Sequence, residues 1–413
     1  MRLLIHDYAG HPFPVGLSRE LARRGHKVVH SFASHLLTPR GTLERRPHDP
    51  PGLSFRPIAM SPEYPRVKYS FLSRRRLEAA YGRELLCALE ELRPELVLSG
   101  QTPSAPQWTL VRRAGQLGIP VVTWVQDFYG LAVGRLANRR LPGIGWLAGK
   151  WYQRLDRRFL AASQRVVAIT EDFTPLLSDH GVPQERINVI PNWAPLEEMP
   201  LRDRSNSWAI RHGLHSGFNF MYSGTLAMKH DPRMLVRLAV ELTKIPDARL
   251  IVVSEGPGME MLQLEKVRLG LDSLVLLPFQ DFEDMPEVLA SADVLVVLLE
   301  ADAGVFSVPS KLLTYLCAGR PILASMPESN LAARTLRISQ SGFTVAPGDA
   351  ANFIALARRM AADAELRTRM GRCGRAYAQT HFDLPRIVDQ FEAVFTTAMA
   401  AHHSRAVAPA GQD

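Results

Sequence analysis

The chain has 413 residues, enough for about two or three domains with sizeable cores. Apolar residues make up 46% of it and charged residues 22%, which excludes wholesale disorder and a collagen-like structure. The formal net charge of +8 hides an asymmetry, because residues 1–195 carry a net +11 and residues 196–413 a net −3. The basic first half is compatible with an anionic partner, and it is equally compatible with a charge that only keeps the protein in solution. The net charge alone favours neither interpretation.

Neither the cysteines nor the apolar runs indicate a secreted or membrane-spanning protein. Cys87, Cys317 and Cys373 lie far apart and form no CxxC pair, which argues against a disulfide scaffold or a structural zinc site. The apolar run Leu3–Ile5 is too short for a signal peptide, and no run reaches the ~18 residues of a membrane span. We expect a cytoplasmic protein, with contact to a membrane surface left open.

Short apolar runs alternate with helical patterns from the start of the chain. The runs that predict strands in the first half are Arg2–His6, Lys27–Ser31, Leu53–Pro57, Glu95–Leu98, Pro120–Val125, Arg165–Ile169 and Ile187–Ile190. Helices are predicted between them, as at Val15–Arg24 and Arg75–Glu91. Continuous apolar strands that alternate with helices are typical of a parallel sheet covered on both faces.

The alternation pauses at Pro191–Pro195 and the charged stretch Glu197–Arg204, which predict a linker. It then resumes with strands at Asn219–Ser223, Arg249–Ser254, Leu274–Pro278, Asp293–Leu298, Pro321–Ser325 and Gly342–Val345. Helices are predicted at Asp231–Lys244, Met259–Leu269, Met285–Ala292, Ser310–Ala318 and Ala350–Ala362. The second half is therefore predicted to be another open α/β unit.

These patterns predict two Rossmann-like domains, residues 1–195 and 196–383. Ligands of open parallel sheets bind at the carboxyl ends of the strands, so we expect a cleft between the two domains to hold the ligand. A last helix is expected at Leu384–Met399. The tail 400–413 is small and polar and is predicted to be disordered.

Two strand ends of the first domain carry candidate functional residues. The loop Gly10–Gly16 lets backbone approach a ligand, and the helix after it favours an anion. It is not GxGxxG, so binding of a nicotinamide cofactor is weakly supported. Asp127 follows the strand that ends at Val125, where a carboxylate can orient or deprotonate a hydroxyl. The alternative is an Asp that only caps the next segment.

The second domain carries a similar pair of loops. Gly224 permits a tight turn after the strand that ends at Ser223, and the same loop carries Lys229, which can neutralise a diphosphate leaving group. Ser310 begins a helix whose amides form an anion cradle, with Lys311 in its first turn. Taken alone, Lys229 fits an ordinary surface position better than a functional one, whereas Lys311 opposes the helix dipole, which indicates a role or a partner carboxylate.

Several other reaction classes lack their motifs. The sequence holds no Asp-x-Asp pair and no HExxH, so metal chemistry is poorly supported. It also holds no Gly-x-Ser-x-Gly elbow and no P-loop lysine motif, which argues against acyl hydrolases and P-loop kinases.

In order and spacing, a series of segments resembles glycosyltransferase family 4. The segments are Leu21–Val28, Ile190–Asn192, Tyr222–Lys229, Glu255–Pro257, Ala290–Val294, Pro309–Pro321 and Ser341–Asp349, and the resemblance spans roughly residues 1–395. It implies a retaining enzyme of the GT-B fold that takes a sugar from a nucleotide diphosphate sugar. The most similar subgroup elongates bacterial surface polysaccharides and lipid-linked glycans. In the family, the last helix crosses back onto the first domain.

The resemblance carries over residue by residue. Val15-Gly16 matches the family's glycine-rich loop near the donor phosphates. Thr225 and Lys229 match its Arg and Lys phosphate ligands, so that only the Lys is kept. Gln126-Asp127 falls where many members have a His or an Asp that faces the reacting sugar. Asp127 and Lys229 are therefore the predicted catalytic residues.

The chain departs from the family at its paired glutamates, which are spaced E-x7-E. Their positions are occupied by Phe306 and Thr314, and the Thr314 hydroxyl is left as a candidate contact to the ribose. The loss puts the identity of the sugar and the level of activity in question. The other residues predicted to bind substrate are Gly16, Gln126, Gly224, Thr225, Glu255, Phe279, Ser310, Lys311 and Leu312.

The resemblance implies retention, with the leaving diphosphate assisting attack by the acceptor hydroxyl on the same face. No cofactor or metal is expected, and the donor is of the UDP or GDP type. We therefore expect a hexosyltransferase that acts on a lipid-linked or glycan acceptor. A sugar-nucleotide 2-epimerase of the same architecture and a non-catalytic nucleotide-sugar-binding protein remain the alternatives.

The basic residues of the first half gather in two segments with aromatic neighbours, residues 66–76 and 135–165. In the second, Leu147, Trp151, Leu155 and Phe159 recur every four residues, as on one face of a helix. This pattern suits a helix on an anionic leaflet, and it also suits a stripe packed on the sheet. We expect a protein peripheral to the inner face of the cytoplasmic membrane. No nucleic-acid-binding motif is present, so a nucleic-acid partner is not expected.

Overall fold

A computed structural model describes residues 1–36, 40–64, 70–100, 102–140, 144–226, 230–304 and 307–407. The chain divides into two compact units. One comprises Met1–Asn192 and the segment that begins at Leu384, and the other comprises Trp193–Asp383. Each unit is a parallel sheet with helices, which confirms the predicted α/β class with two Rossmann-like domains.

The first unit contains a seven-stranded parallel sheet in the order β3-β2-β1-β4-β5-β6-β7. Its strands are β1 (Arg2–Asp7), β2 (Lys27–Ala33), β3 (Leu53–Ile58), β4 (Leu96–Gly100), β5 (Val121–Val125), β6 (Arg165–Ala168) and β7 (Ile187–Val189). The helices between them are α1 (Pro12–Arg23), α2 (Phe71–Leu92), α3 (Ser104–Gln116), α4 (Tyr129–Arg140), α5 (Ile144–Ala162) and α6 (Thr174–Asp179). The central strands β4 and β5 are buried along their whole length, because helices cover both faces of a sheet of this kind.

The second unit contains a six-stranded parallel sheet in the order β10-β9-β8-β11-β12-β13. Its strands are β8 (Phe218–Ser223), β9 (Ala248–Val253), β10 (Leu274–Leu277), β11 (Val294–Leu298), β12 (Ile322–Ser325) and β13 (Gly342–Val345). Its helices are α7 (Ser207–Arg211), α8 (Arg233–Leu242), α9 (Pro257–Leu269), α10 (Met285–Ala290), α11 (Lys311–Ala318), α12 (Leu331–Ser339), α13 (Ala350–Ala362) and α14 (Ala364–His381).

Both sheets reverse their strand order at one point. In the first unit the reversal lies between β1 and β4, and in the second between β8 and β11. Connections on the two sides of such a point leave in opposite directions, which opens a crevice beyond the carboxyl ends of the two strands. The segments after β1, β4, β8 and β11 are therefore the parts of each unit in which a ligand site is expected.

The last helix, α15 (Leu384–Val407), packs on the first unit. Arg24 at the end of α1 donates to Asp389 of α15 at 2.6 Å. On the apolar side, the rings of Trp124 and Phe391 have centroids 4.9 Å apart. Charged and aromatic contacts together fix this helix against the sheet of the first unit.

The helix extends further than the sequence predicted. We expected it to end at Met399 and the tail from 400 to be disordered, but the structure is helical through Val407. Alanines at 400, 401 and 406 favour helix, and this preference outweighs the polar composition of the segment. Residues 408–413 lie outside the described residues. Among the described helices, none combines the length and the apolar character needed to cross a bilayer.

Helices α4 and α5 approach each other unusually closely. A Cβ on Gly149 of α5 would lie 2.6 Å from the Cα of Gly134 on α4, so a side chain at that position would push the helices apart. Glycine is favoured at such a crossing because only its missing side chain lets two helix backbones come this near. This close packing holds α5, which carries both exposed and buried candidate residues, against α4.

Two buried histidines on the first sheet make its stability depend on pH. His6 bonds Ser31 at 2.9 Å and Tyr81 at 3.1 Å, and His30 bonds Ser18 at 2.8 Å. Burial lowers the pKa of each imidazole from 6.5 to about 4. Between these values the unfolded chain binds more protons than the folded one, so the unfolding free energy falls as the pH falls from about 6.5 towards 4.

We therefore expect the first unit to unfold at a lower urea concentration on acidification. Its free energy of unfolding should fall by about 1 kcal/mol per pH unit for each histidine. His30→Gln should make this dependence shallower. The measurement is urea unfolding between pH 7.5 and 4.5, with the exposed His48→Gln as the control. An identical slope for wild type and His30→Gln would contradict the assignment.

Candidate active site in two units

The end of β8 in the second unit is held by one buried hydroxyl. Tyr315 of α11 accepts a hydrogen bond from the Ser223 amide at 2.8 Å and donates one to the Ser223 carbonyl at 3.0 Å. Both polar groups of this peptide position are thus satisfied from a neighbouring helix. Directly after it, Gly224 has φ +123°, a conformation that favours glycine. The turn after β8 therefore has a fixed start and a backbone that other residues rarely adopt.

Lys311, in the first turn of α11, lies against this turn. Its ammonium donates to the hydroxyl of Tyr222 and lies 3.7 Å from the centroid of the Tyr222 ring. The Tyr222 hydroxyl in turn donates to the carbonyl of Thr225 at 2.8 Å. A Cβ on Gly224 would lie 3.1 Å from Cε of Lys311, so the glycine also makes room for the lysine. Of the predicted substrate-binding residues, the structure brings Gly224, Thr225 and Lys311 together.

The neutral state of Tyr222 suits this arrangement. Burial raises the pKa of its hydroxyl well above the usual value, so the hydroxyl stays protonated and serves as a hydrogen-bond relay rather than as a counter-charge. The positive charge of Lys311 is consequently not cancelled by Tyr222. A cation held beside a glycine turn at a strand end is suited to binding a phosphate group.

The other predicted residues of the second unit differ in exposure and in hydrogen bonding. Ser310 is exposed just before α11, whereas the Leu312 side chain is 2% exposed and belongs to the core. The Thr314 hydroxyl donates to the carbonyl of Lys311 within the helix at 2.9 Å. Glu255 and Phe279 are half-buried and follow β9 and β10. Their predicted roles stay predictions.

Two positions that matter to the prediction lie outside the described residues. These are Lys229, the predicted catalytic lysine, and Phe306, at one of the family's glutamate positions. The described residue that follows Lys229 in the sequence is His230. It is buried, and its ring centroid lies 6.2 Å from that of Tyr222. The helix predicted at Asp231–Lys244 is shorter, since α8 runs from Arg233 to Leu242, and Asp231 accepts from the Arg233 amide at 3.0 Å.

In the first unit, the turn after β1 is organised by Asp7. Its carboxylate accepts from the amides of Ala9 at 3.3 Å and His11 at 2.5 Å. Burial alone would raise the pKa of Asp7, but the bonds and charge of His11 outweigh it and leave the pKa below its usual range. The glycine-rich loop and the start of α1 are thus shaped by a buried carboxylate. Gly16, predicted near the donor phosphates, lies inside α1, where a Cβ would meet Leu384 at 3.9 Å.

The strand end at β5 presents Gln126 and Asp127 in two different ways. Gln126 is 4% exposed and exchanges two amide hydrogen bonds with Asn192, one of them 3.2 Å long. This pair ties the end of β5 to the segment that follows β7. Asp127, the predicted catalytic carboxylate, is exposed. The structure therefore gives Gln126 a structural role and places Asp127 at the surface.

Sequence reasoning missed three residues that organise these turns: Asp7, Tyr315 and Asn192. Asp7 has a local signal, an acidic residue directly at the end of the first apolar strand. The partners of Tyr315 and Asn192 lie 92 and 66 residues away along the chain, and no local pattern reports such pairs.

The described parts of the basic and aromatic segments of the first unit divide between core and surface, while residues 66–69 and 141–143 of these segments lie outside the described residues. Arg74 is not a surface charge, because it bonds Glu78 at 2.8 Å and its side chain is only 13% exposed. In the predicted apolar stripe, Leu155 and Phe159 are buried, whereas Leu147 is 61% exposed. The part of the stripe that follows the middle of α5 therefore packs in the unit, and only its amino-terminal end remains on the surface.

Comparison with known proteins connects these turns to a class of enzyme. The model of Glycosyltransferase Family 4 matches residues 15–198, and that of Glycosyl transferases group 1 matches residues 217–363. WcaI of Escherichia coli strain K12, a protein assigned to colanic acid biosynthesis as a glycosyl transferase, is 24% identical over 243 residues. That alignment spans 57% of this chain and 58% of the relative, so just over half of each.

Solved structures share the fold at low sequence identity. HepE of Anabaena, solved with UDP, has a TM-score of 0.67 at 16% identity and covers 96% of this chain and all of its own. Sucrose-phosphate synthase of Thermosynechococcus elongatus has a TM-score of 0.72 at 14% identity, with 97% and 100% covered. WaaG, a glycosyltransferase involved in lipopolysaccharide biosynthesis, has a TM-score of 0.67 at 15% identity, with 96% and 99% covered.

The two parallel-sheet units and these structural relatives define the GT-B fold. The two family models together match most of the chain, one in each unit. The first unit thus matches the model of Glycosyltransferase Family 4 and the second that of Glycosyl transferases group 1, which confirms the resemblance seen in the sequence.

Removal of the hydroxyl that holds β8 provides a test of this geometry. Tyr315→Phe leaves the amide and the carbonyl of Ser223 without their buried partner, so we expect the second unit to lose about 1–3 kcal/mol of stability. The measurement is urea unfolding, with Tyr377→Phe as a control at a half-buried tyrosine of the same unit. Equal midpoints for the two variants would show that the Tyr315 bonds do not hold the strand end.

Proposed function

We propose that the protein is a retaining, metal-independent hexosyltransferase. It moves a sugar from a UDP- or GDP-type nucleotide diphosphate sugar to a lipid-linked or glycan acceptor. The observation that carries this proposal is the placement of Lys311 against Tyr222, Gly224 and Thr225 at the end of β8. The relatives support the substrate class, since HepE was solved with UDP and also with UDP-glucose. The names of WcaI and WaaG support a role in bacterial surface polysaccharides.

The donor diphosphate is assigned to the second unit. Gly224 exposes backbone at the turn, and the amino end of α11 adds amide groups that attract an anion. Lys311 supplies a positive charge beside them, and Lys229 is proposed to supply a second. This charge stabilises the diphosphate as the sugar–phosphate bond breaks and negative charge grows on the leaving group. Thr225 stands where the family has an Arg that binds phosphate. In this chain Lys229 and Lys311 supply that positive charge instead.

The acceptor is assigned to the first unit. Asp127 is exposed, and its carboxylate is assigned to accept a hydrogen bond from the acceptor hydroxyl and to orient it. In a retaining reaction of this kind, the leaving diphosphate receives the proton of that hydroxyl as the new bond forms on the same face of the sugar. Gln126 has a supporting role, because its bonds to Asn192 fix the end of the strand that carries Asp127.

Nucleotide binding tests the donor half of the proposal. We expect UDP or GDP to bind the purified chain and Lys311→Met to weaken that binding by about tenfold, because one charge-assisted contact to phosphate is lost. The measurement is calorimetric titration, with Lys244→Met as the control at a lysine of the same unit that pairs with Glu241.

Failure of both nucleotides to bind would contradict the donor assignment, and an unchanged affinity in Lys311→Met would contradict the role of that lysine. The reaction products distinguish a transferase from the alternative enzyme, a sugar-nucleotide 2-epimerase. Release of free nucleotide together with a C2-inverted sugar, without any acceptor, would identify an epimerase instead of a transferase.

Contact with the inner membrane surface is proposed for the amino-terminal end of α5. Trp146 and Leu147 are 56% and 61% exposed there, and the ammonium of Lys150 lies 5.4 Å from the Trp146 ring centroid. Arg75 is exposed, with its guanidinium 4.9 Å from the ring of Trp151 on the same helix. Aromatic and apolar side chains flanked by exposed cations are suited to an anionic lipid surface.

Binding to vesicles tests this surface. We expect the double variant Trp146→Ser/Leu147→Ser to lose most of its sedimentation with phosphatidylglycerol vesicles, since both apolar contacts are removed. The control is Leu264→Ser/Val267→Ser, which removes two residues of the second unit that are 72% and 73% exposed. Equal sedimentation of the two double variants would contradict the proposed surface.

A further inference from the structure

The first unit contains a cavity of about 140 Å³ at the carboxyl ends of β4 and β5. Its lining includes Asp127, the exposed carboxylate to which the acceptor hydroxyl is assigned, so the cavity reaches the surface at that residue. Deeper in, the wall is formed by residues of β5, α3 and α5. An apolar cavity of roughly 150 Å³ accommodates benzene, so a space of this size admits one pyranose ring whose substituents extend to the opening at Asp127.

The walls of the cavity differ in chemistry. One side is apolar and includes Phe128, Phe159 and Leu160. The other side is polar, and its groups are already ordered among themselves. Ser99 donates to Gln107 at 2.6 Å, and Gln107 donates to Thr123 at 3.3 Å. A space with one apolar face and one row of fixed polar groups matches a sugar ring, whose faces are apolar and whose edge carries hydroxyls.

Asp156 supplies the group that points to a ligand. Asp156 is 2% exposed and lines the cavity. One carboxylate oxygen accepts from the Gly130 amide at 2.9 Å. Burial raises the pKa of this carboxyl, although the nearby Ser104 hydroxyl and the Gly130 amide act in the opposite direction. The other carboxylate oxygen, Oδ1, and Ser104 Oγ have no partner with hydrogen-bond geometry among the described residues. An unsatisfied buried acceptor is costly, so a donor from outside the protein would be bound favourably there.

We propose that this cavity binds a pyranose ring of the acceptor, with a ring hydroxyl donating to Oδ1 of Asp156 and a second hydroxyl presented near Asp127. The inference rests on the proposed glycosyltransferase function and adds a neutral saccharide site to it. Its specificity residues are Asp156 on the polar side and Leu160 on the apolar side. The polar side of the cavity selects hydroxyl donors, and the size of the cavity limits the occupant to a single ring.

The test uses the full chain and a panel of methyl pyranosides of glucose, galactose and mannose, with binding measured by saturation-transfer NMR. We expect at least one of them to bind the wild type. Asp156→Asn keeps the shape and an oxygen for the Gly130 amide but removes the charge, so binding should weaken by about tenfold or more. Leu160→Phe fills the cavity and should abolish binding. Asp179→Asn, at an exposed position of the same unit, should bind as the wild type does.

The outcomes separate a ligand site from a structural carboxylate. If Asp156 only caps α4, Asp156→Asn lowers the melting temperature while any pyranoside binding stays unchanged, and the proposal falls. It also falls if no pyranoside binds the wild type, since the cavity then holds water only. UDP and GDP are titrated into the same samples. Nucleotide binding without pyranoside binding overturns this inference alone, whereas Asp156-dependent pyranoside binding without nucleotide binding supports the saccharide site and overturns the proposed function.

Discussion

The second unit depends on one buried interaction, the pair of hydrogen bonds between the Tyr315 hydroxyl and the backbone of Ser223. These bonds join α11 to the end of β8, and the elements that carry Lys311 and Gly224 are thereby held in one geometry. The lysine then stacks on Tyr222, and Tyr222 orders the carbonyl of Thr225. A chain of polar contacts thus connects a core tyrosine to an accessible turn. Preorganisation of this kind lets a turn stabilise developing charge without rearranging.

The first unit uses different chemistry at the equivalent edge of its sheet. Carboxylates rather than cations organise its turns: Asp7 holds the loop before α1, Asp156 caps α4, and Asp127 stands exposed between them in sequence. The overall charges of the two halves therefore say little about their sites. The half with a net charge of +11 presents carboxylates at its strand ends, and the half with a net charge of −3 presents a lysine. Part of the basic excess is internal, since Arg74 is bound to Glu78 within the unit.

The fold was predictable because its signal is local. Strands such as Val294–Leu298 are short, continuous apolar runs, and in a parallel sheet every residue of such a run is buried. The turns after them were also predictable, because glycine and polar residues follow the strands directly. The residues that fix those turns were not, since Tyr315 and Asn192 act on positions far away along the chain. The stripe from Leu147 to Phe159 had two interpretations, and only tertiary packing separated the exposed end from the buried one.

The central claim is that the turn after β8 binds the diphosphate of a nucleotide sugar. Phosphorus-31 NMR of UDP and GDP, titrated with the protein, observes those phosphates directly. We predict that the two phosphate resonances of one nucleotide shift or broaden with the wild type, and that Lys311→Met reduces this change while contact to the base protons persists. Absence of any change for both nucleotides, or a change that is identical in wild type and Lys311→Met, would contradict the account.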